Sequence, residues 1–319
     1  MTSQQMPSSR SRLSFMTNTR RILLFVFLSV SFSATVFAQK QDLILPIALN
    51  GYTTPPIHYQ TIIRIVNISS FAVEVTLEAY QNDGTAVRIL DLFPVVRAGT
   101  TSIFDINAGG TVEAFTAEDV PALNGWIRLT LDSAAMILAT AEVALINAPV
   151  GPHPICMRPS TEILTSVQTG AVAAAQKFSA FAVVRPYRKS AFAIVNPSTT
   201  QAATVFLSLL DLGGRLISGA TLQIAPQARL SRFVQEFMPD APADFMGSLR
   251  ITSTIPVGFG GVNVLYPEGE FTAINVAAAP ASACVLVLAP ARNPLTNECR
   301  VFPTPCEVPD GWISTTACN

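Results

Sequence analysis

The chain has 319 residues, with 20 Lys and Arg against 21 Asp and Glu and a formal net charge of −1. Charged residues make up 13% of it, against roughly 25% in ordinary soluble proteins, while 50% are hydrophobic. So little charge, so evenly balanced, excludes a nucleic-acid binder or a polybasic membrane-surface protein held by electrostatics. The length suits about two domains.

The first element is "RRILLFVFLSVSFSATVFA". Two arginines, an apolar core and a short-residue ending at Val36-Phe37-Ala38 make the pattern of a secretory signal peptide over residues 1–38. Cleavage is expected between Ala38 and Gln39; retention as an N-terminal anchor is the alternative. The segment carries Arg10, Arg12, Arg20 and Arg21 and no acidic residue, so the chain after it is more acidic than the whole. Beyond it no apolar run is long enough for a bilayer, so no transmembrane span is expected after cleavage. The expected location is secreted or cell-surface, with the periplasm as the other compartment.

Residues 39–168 then read as a first β module. "DLILPIAL" (Asp42 to Leu49) supplies a strand. In "VEVTLEAY", Val73, Val75, Leu77 and Ala79 alternate with Glu74, Thr76, Glu78 and Tyr80, one face in and one out. In "IRLTL", Ile127, Leu129 and Leu131 point inward by the same rule. Turn formers separate the strands: Asn67-Ile68-Ser69-Ser70 and Asn82-Asp83-Gly84 here, and Leu212-Gly213-Gly214 in the later module. Asn67-Ile68-Ser69 also has the form of an N-glycosylation acceptor, but its counterpart Asn196-Pro197-Ser198 cannot be one, so the match reads as incidental.

"TEILTSVQTGAVAAAQ" (Thr161 to Gln176) has room for a helical turn, and its end, residues 169–176, is expected to link two domains. Residues 177–281 then repeat the first module. Ile65-Val66-Asn67 aligns with Ile194-Val195-Asn196, Leu77 with Leu207, and Gly84 with Gly214. Ser102-Ile103-Phe104 aligns with Ser231-Arg232-Phe233, and Gly125 to Thr130 with Gly247 to Thr252. "FSAFAVV" (Phe178 to Val184) is the second copy's leading strand. A short helix is expected within "LSRFVQEFM" (Leu230 to Met238). In each copy the Asn ending the "IVN" strand is expected to bond the backbone two residues on, letting a buried strand turn sharply.

Seven or eight short strands per copy predict an all-β fold: two tandem immunoglobulin-like β-sandwich domains plus a short Cys-rich C-terminal tail. Three stretches carry a family resemblance: Val195-Asn196-Pro197-Ser198, Val205 to Gly214, and Phe245 to Ser253. They resemble an uncharacterised family of immunoglobulin-like β-sandwich repeats in secreted bacterial proteins. The resemblance covers most of residues 42 to 281, better in the second copy than in the first, where Ile68 replaces the Pro. It implies a fold and no catalytic residues.

Residues 282–319 form the tail. Cys284, Cys299, Cys306 and Cys318 lie there among several prolines, and disulfides are the usual remedy for so small a core in an oxidising compartment. Four cysteines allow three pairings, and the sequence leaves all three open. The spacing lacks a C-x-x-C knuckle, so no metal is expected. Cys156 is left over as a free or buried thiol, and Trp312 is expected in the tail's own small core.

Catalytic signatures are missing from the sequence. His58 and His153 fall in Pro-rich stretches, and no G-x-S-x-G, H-E-x-x-H, P-loop or G-x-G-x-x-G occurs. Glu113, Glu118 and Asp119, or Glu236, Asp240 and Asp244, are the acidic clusters a glycosidase would need, but they flank turns. The expectation is a non-catalytic exported protein without cofactor or metal. Its modules would act as spacer, adhesion or assembly units toward a cell-envelope or extracellular protein or glycan. The alternatives are a secreted hydrolase with its site in the irregular loops, or a periplasmic chaperone-like pair of sandwiches.

Overall fold

The computed structural model describes residues 40–54, 57–87, 90–91, 100–116, 123–132, 134–147, 162–267, 269–279 and 287–318. The expected signal peptide with its cleavage residues Ala38 and Gln39, and Cys156, His153, Glu118, Asp119 and Cys284, lie outside them.

The chain is all-β. The N-terminal half holds β1 (Lys40–Thr54), β2 (Ile57–Asn67), β3 (Val73–Gln81), β4 (Ala86–Val87), β5 (Leu90–Asp91) and β6 (Thr101–Ile106). It continues through β7 (Thr111–Thr116), β8 (Leu123–Asp132), β9 (Ile137–Asn147), β10 (Glu162–Gly170) and β11 (Val172–Ala173). The C-terminal half holds β12 (Ala175–Arg185), β13 (Arg188–Val195), β14 (Ala203–Asp211), β15 (Leu216–Ile224), β16 (Arg229–Phe233), β17 (Phe245–Leu265), β18 (Glu270–Ala273) and β19 (Val276–Ala278). One helical turn, α1 (Val234–Phe237), interrupts it within the stretch expected to be helical. The tail carries β20 (Ala289–Arg292), β21 (Cys299–Phe302) and β22 (Ile313–Ser314), which form a small three-stranded sheet.

In the N-terminal half one layer runs β11-β1-β8-β3, with β4 and β6 on β3. The other runs β10-β9-β2-β7-β5. β1 serves both layers, pairing with β8 from Lys40 and with β2 from Gly51. Between them lies an apolar core that includes Leu45, Ile63, Ile65, Val75, Leu77, Ile127 and Leu129. These are the inward positions of the period-two pattern, and burying them drives the layers together.

The C-terminal half uses the same pairings. β14 meets β17 as β3 meets β8: Leu207↔Ile251 and Asp211↔Gly247 match Leu77↔Leu129 and Gln81↔Gly125. β13 meets β16 as β2 meets β7. One difference is continuity. β8 and β9 are separate strands, whereas β17 runs through 21 residues and serves both layers, pairing with β12 and β14 first and with β13 and β18 afterwards.

Two sequence expectations need correction. Residues 162–170 are strand rather than a helical turn. Val167 and Thr169 are buried, and β10 pairs with β9 along its length. Consequently residues 169–176 carry the end of β10, all of β11 and the start of β12. The second correction concerns Ser102-Ile103-Phe104, which lies on β6 against β3, whereas Ser231-Arg232-Phe233 lies on β16 against β13. The strand that matches β6 is β15, since Val73↔Ile106 corresponds to Ala203↔Ile224. The segment from Gly84 to β6 is much longer than that from Gly214 to β15, and this insertion put the wrong strands in register in the sequence.

Both halves keep the same turn chemistry. Asn67 Nδ2 donates to the carbonyls of Phe71, Ile106 and Asn107 at 2.7, 2.9 and 3.1 Å, and its Oδ1 accepts from Ser69 N at 2.8 Å. Asn196 Nδ2 donates to Gln201, Ile224 and Ala225 at 2.7, 3.0 and 3.0 Å, and its Oδ1 accepts from Ser198 N at 3.1 Å. The bond two residues on was expected; the carbonyl across the turn and the two at the end of β6 or β15 are additional. Gly125 and Gly247 are also equivalent: a Cβ there would fall 1.8 Å from Tyr80 O or 2.1 Å from Leu210 O. Such overlap excludes any side chain without backbone movement.

Candidate functional site: the joint between the halves

The described residues all fall within one compact unit, and a polar clasp joins its two halves. The N-terminal half contributes the outward face of β1, β3 and β8. Here Tyr80 and Trp126, opposite one another on β3 and β8, stack at 4.6 Å between ring centroids. The Arg128 guanidinium lies 5.4 Å from each ring, a cation–π position. Ile44 and Val195 close over the rings, so Trp126 has no exposed surface. Burial, the largest influence on the Tyr80 phenol, pushes its pKa up.

The C-terminal half contributes the end of β13, the turn before β16 and the second part of β17. Gln227 adopts φ 58°, a left-handed conformation that costs a residue with a Cβ about 1 kcal/mol or more. This conformation aims its carbonyl at Trp126, whose Nε1 donates to it at 2.9 Å. Arg128 donates to the Pro197 carbonyl. A Cβ on Gly258 would lie 2.6 Å from Ile44 Cγ2, and one on Gly260 would lie 2.3 Å from Pro46 Cγ. Both glycines therefore let β17 lie against β1.

Arg229 is the centre of the clasp. It projects from β16 and is only 5% exposed. Its Nε donates to Asn82 Oδ1 at 2.8 Å and its Nη1 to Pro46 O at 3.1 Å. It also donates to Gly125 O and Asn124 Oδ1. Its backbone N donates to Asn82 O at 2.9 Å. All these acceptors are neutral oxygens of the N-terminal half. Burial pushes the Arg229 pKa down to about 10, still far above neutral pH, so it is a buried cation held by oriented dipoles.

The tail seats on the C-terminal half. Phe206 of β14 meets Phe302 and Trp312 edge-on, at 5.7 and 6.3 Å between ring centroids. Trp312 thus packs in the tail's core, as expected, and that core is shared with the sandwich. Arg250 pairs with Asp310 at 3.6 Å, and Lys177 Nζ donates to Val308 O at 3.4 Å. Cys299 and Cys318 form a disulfide, which chooses among the open pairings, and Cys306 is disulfide-bonded as well. A cleft of about 430 Å³ opens beside Lys177, Pro290, Pro305, Asp310 and Trp312.

The described candidate acids Glu113, Glu236, Asp240 and Asp244 each have their own setting. Glu113 and Glu142 flank Arg64 at 2.6 and 2.5 Å, an ion-pair network across three strands. Asp244 pairs with Arg185 at 2.9 Å, Glu236 accepts from Phe233 N at the start of α1, and Asp240 lies exposed in a turn. His58 is buried within β2 rather than in a loop, because the strand begins at Ile57, right after the prolines. The Asn67 amide is fully buried, which removes it as a glycan acceptor. Among the described residues no three His, Cys, Asp or Glu side chains group as a metal would need, and no helix is long and apolar enough to cross a membrane.

Sequence reasoning missed the clasp because it looked for agreement between copies. The joint is built where they differ: Trp126 against Ser248, Tyr80 against Leu210, and Arg229 against Thr111 once β16 is matched to β7. No protein-family model, curated protein or solved structure matches this chain.

Proposed function

We propose that the protein is a non-catalytic exported spacer, in which two immunoglobulin-like modules form a rigid unit that presents a contact surface to a cell-envelope or extracellular protein or glycan. The observation that carries this reading is the Arg229 clasp. A buried cation bonded across the joint resists relative motion of the two halves, which suits a spacer of fixed geometry better than a flexible pair of domains. The tail disulfide supports an oxidising destination, as does the signal-like N-terminal segment. Resemblance to secreted bacterial repeats points the same way.

The test is sedimentation of the purified chain with envelope fragments and with insoluble polysaccharides. Capture by one of them, competed by excess unlabelled protein, is the expected result. A chain that stays in the supernatant with every fraction counts against the reading. Hydrolysis of a polysaccharide or ester, lost on Asp244→Asn, would replace it with the hydrolase alternative.

A further inference from the structure

The structure contains one complete docking event and two half-events. In the complete one, the tip of the C-terminal half (Val195, Pro197, Gln227, Arg229) covers the outward face of the N-terminal half. The matching outward face of the C-terminal half carries Arg250 where the other has Arg128, Phe206 where it has Thr76, and Lys177 where it has Asp42. That face is covered by the tail through these same residues.

The matching tip of the N-terminal half is covered by nothing described. Strand register places Ile68 at the Pro197 position, Gly109 at the Gln227 position, Thr111 at the Arg229 position and Leu138 at the Gly258 position. Gly109 has φ 70°, matching Gln227 at 58°, so the turn has the same shape. Around it Ile68 is 49% exposed, Phe71 46%, Met136 59% and Leu138 59%. Four large apolar side chains exposed together on one tip mark an interaction surface.

We propose that this apolar tip docks on the outward face of the C-terminal half of a second copy, and that the tail is the cap that occupies that face. The chain itself shows what kind of surface covers such a tip. The two surfaces are suited: the tip lacks the arginine of its counterpart, and the face lacks the Trp and Tyr that the arginine-bearing tip uses. The apolar side chains of the tip have Leu210 and Phe206 to pack against on the face, which also carries Arg250 and Lys177. A tip on one half and a different face on the other make the contact heterologous, so assembly once uncapped is head-to-tail, as a ring or a filament. The chain could be a spacer without ever self-associating, so loss of this inference leaves the function proposed above untouched.

The test is sedimentation velocity of the full chain across concentration, alone, with Phe302→Asp to unseat the tail, and with Phe302→Asp plus Leu138→Asp. Retained circular dichroism and a changed Trp fluorescence identify a folded chain with an undocked tail. Reduction of the disulfides is the second route to the same state if Phe302→Asp does not fold. Capped chain is expected as monomer, uncapped chain as species that grow with concentration, and Leu138→Asp is expected to return them to monomer. Uncapped chain that stays monomeric at hundreds of micromolar, or oligomers indifferent to Leu138→Asp, would overturn the proposal.

Discussion

Trp126 and Gln227 lie 101 residues apart in sequence, yet the indole N–H of one donates to the carbonyl of the other at 2.9 Å. The bond requires Gln227 in a left-handed turn and Trp126 on the outward face of its sheet. Neither position makes sense for a half standing alone. A tryptophan with no exposed surface on the outside of a sandwich needs a second body to cover it.

The clasp sets the first prediction. Arg229→Ala leaves the Gly125 and Pro46 carbonyls and the Asn82 and Asn124 side chains without their shared donor, and is expected to cost about 3 kcal/mol. Arg229→Lys should recover little of it, because one ammonium cannot reproduce a planar fork. Urea unfolding followed by Trp fluorescence measures both. A lysine variant as stable as the parent would show that charge alone, not geometry, holds the joint.

The two turn asparagines should behave alike. Asn67→Ala and Asn196→Ala each remove a side chain that reaches three carbonyls and one N–H, so each is expected to cost about 2–4 kcal/mol. Thermal melts of the two variants provide the comparison. A large difference between them would mean that the turns carry unequal loads despite matching bonds.

The tail should loosen by itself. Cys299–Cys318 closes a loop of sequence separation 19, worth about 3 kcal/mol on the chain-entropy account. Hydrogen exchange on reduced and oxidised protein is expected to show lost protection in Ala289–Arg292 and Cys299–Phe302, with β8 and β17 unchanged. Protection lost from β17 as well would make the tail part of the main core.

Acid should weaken the network on β2. Burial opposes ionisation of Glu142, but hydrogen bonds from Arg64 and Ser166 outweigh it and hold its carboxyl below the ordinary value of 4.5. The folded state therefore releases this proton more readily than the unfolded chain. The stabilisation is full above pH 4.5 and is lost as pH falls through the lower folded value. Arg64→Gln should cost about 0.5–1 kcal/mol at pH 7, since the pair is partly exposed, and the difference should shrink toward pH 3. Denaturant titrations at both pH values check the sign.

Much of the fold was legible because period-two alternation says which face of a strand is buried: Val75, Leu77, Ile127 and Leu129 lie in the core as read. The same alternation put Tyr80 outward, correctly, but an outward residue reads as solvated, and nothing local says that another strand tip will cover it. The register of β6 was lost to an insertion, and with it the correspondence of Arg229 to Thr111. Residues 169–176 looked like a connector because Gly and Ala carry little pattern, while their pairing partners lie on strands far away in sequence. Local signals identify strands and turns; the joint is a relation between distant residues and leaves no local trace.

β1 is the first described strand, and its assignments are the most delayed. It pairs with β8, with β11, and with both layers, and its Pro46 carbonyl is one of the acceptors of Arg229. A nascent chain that has reached residue 228 has every strand of its first half and still lacks the guanidinium that satisfies that half's outward face. Completion of the N-terminal half's outward face therefore waits for Arg229 of the later half to be synthesised. Contacts of such long sequence separation form slowly, so the first half is expected to reach its full stability only after the second has folded against it.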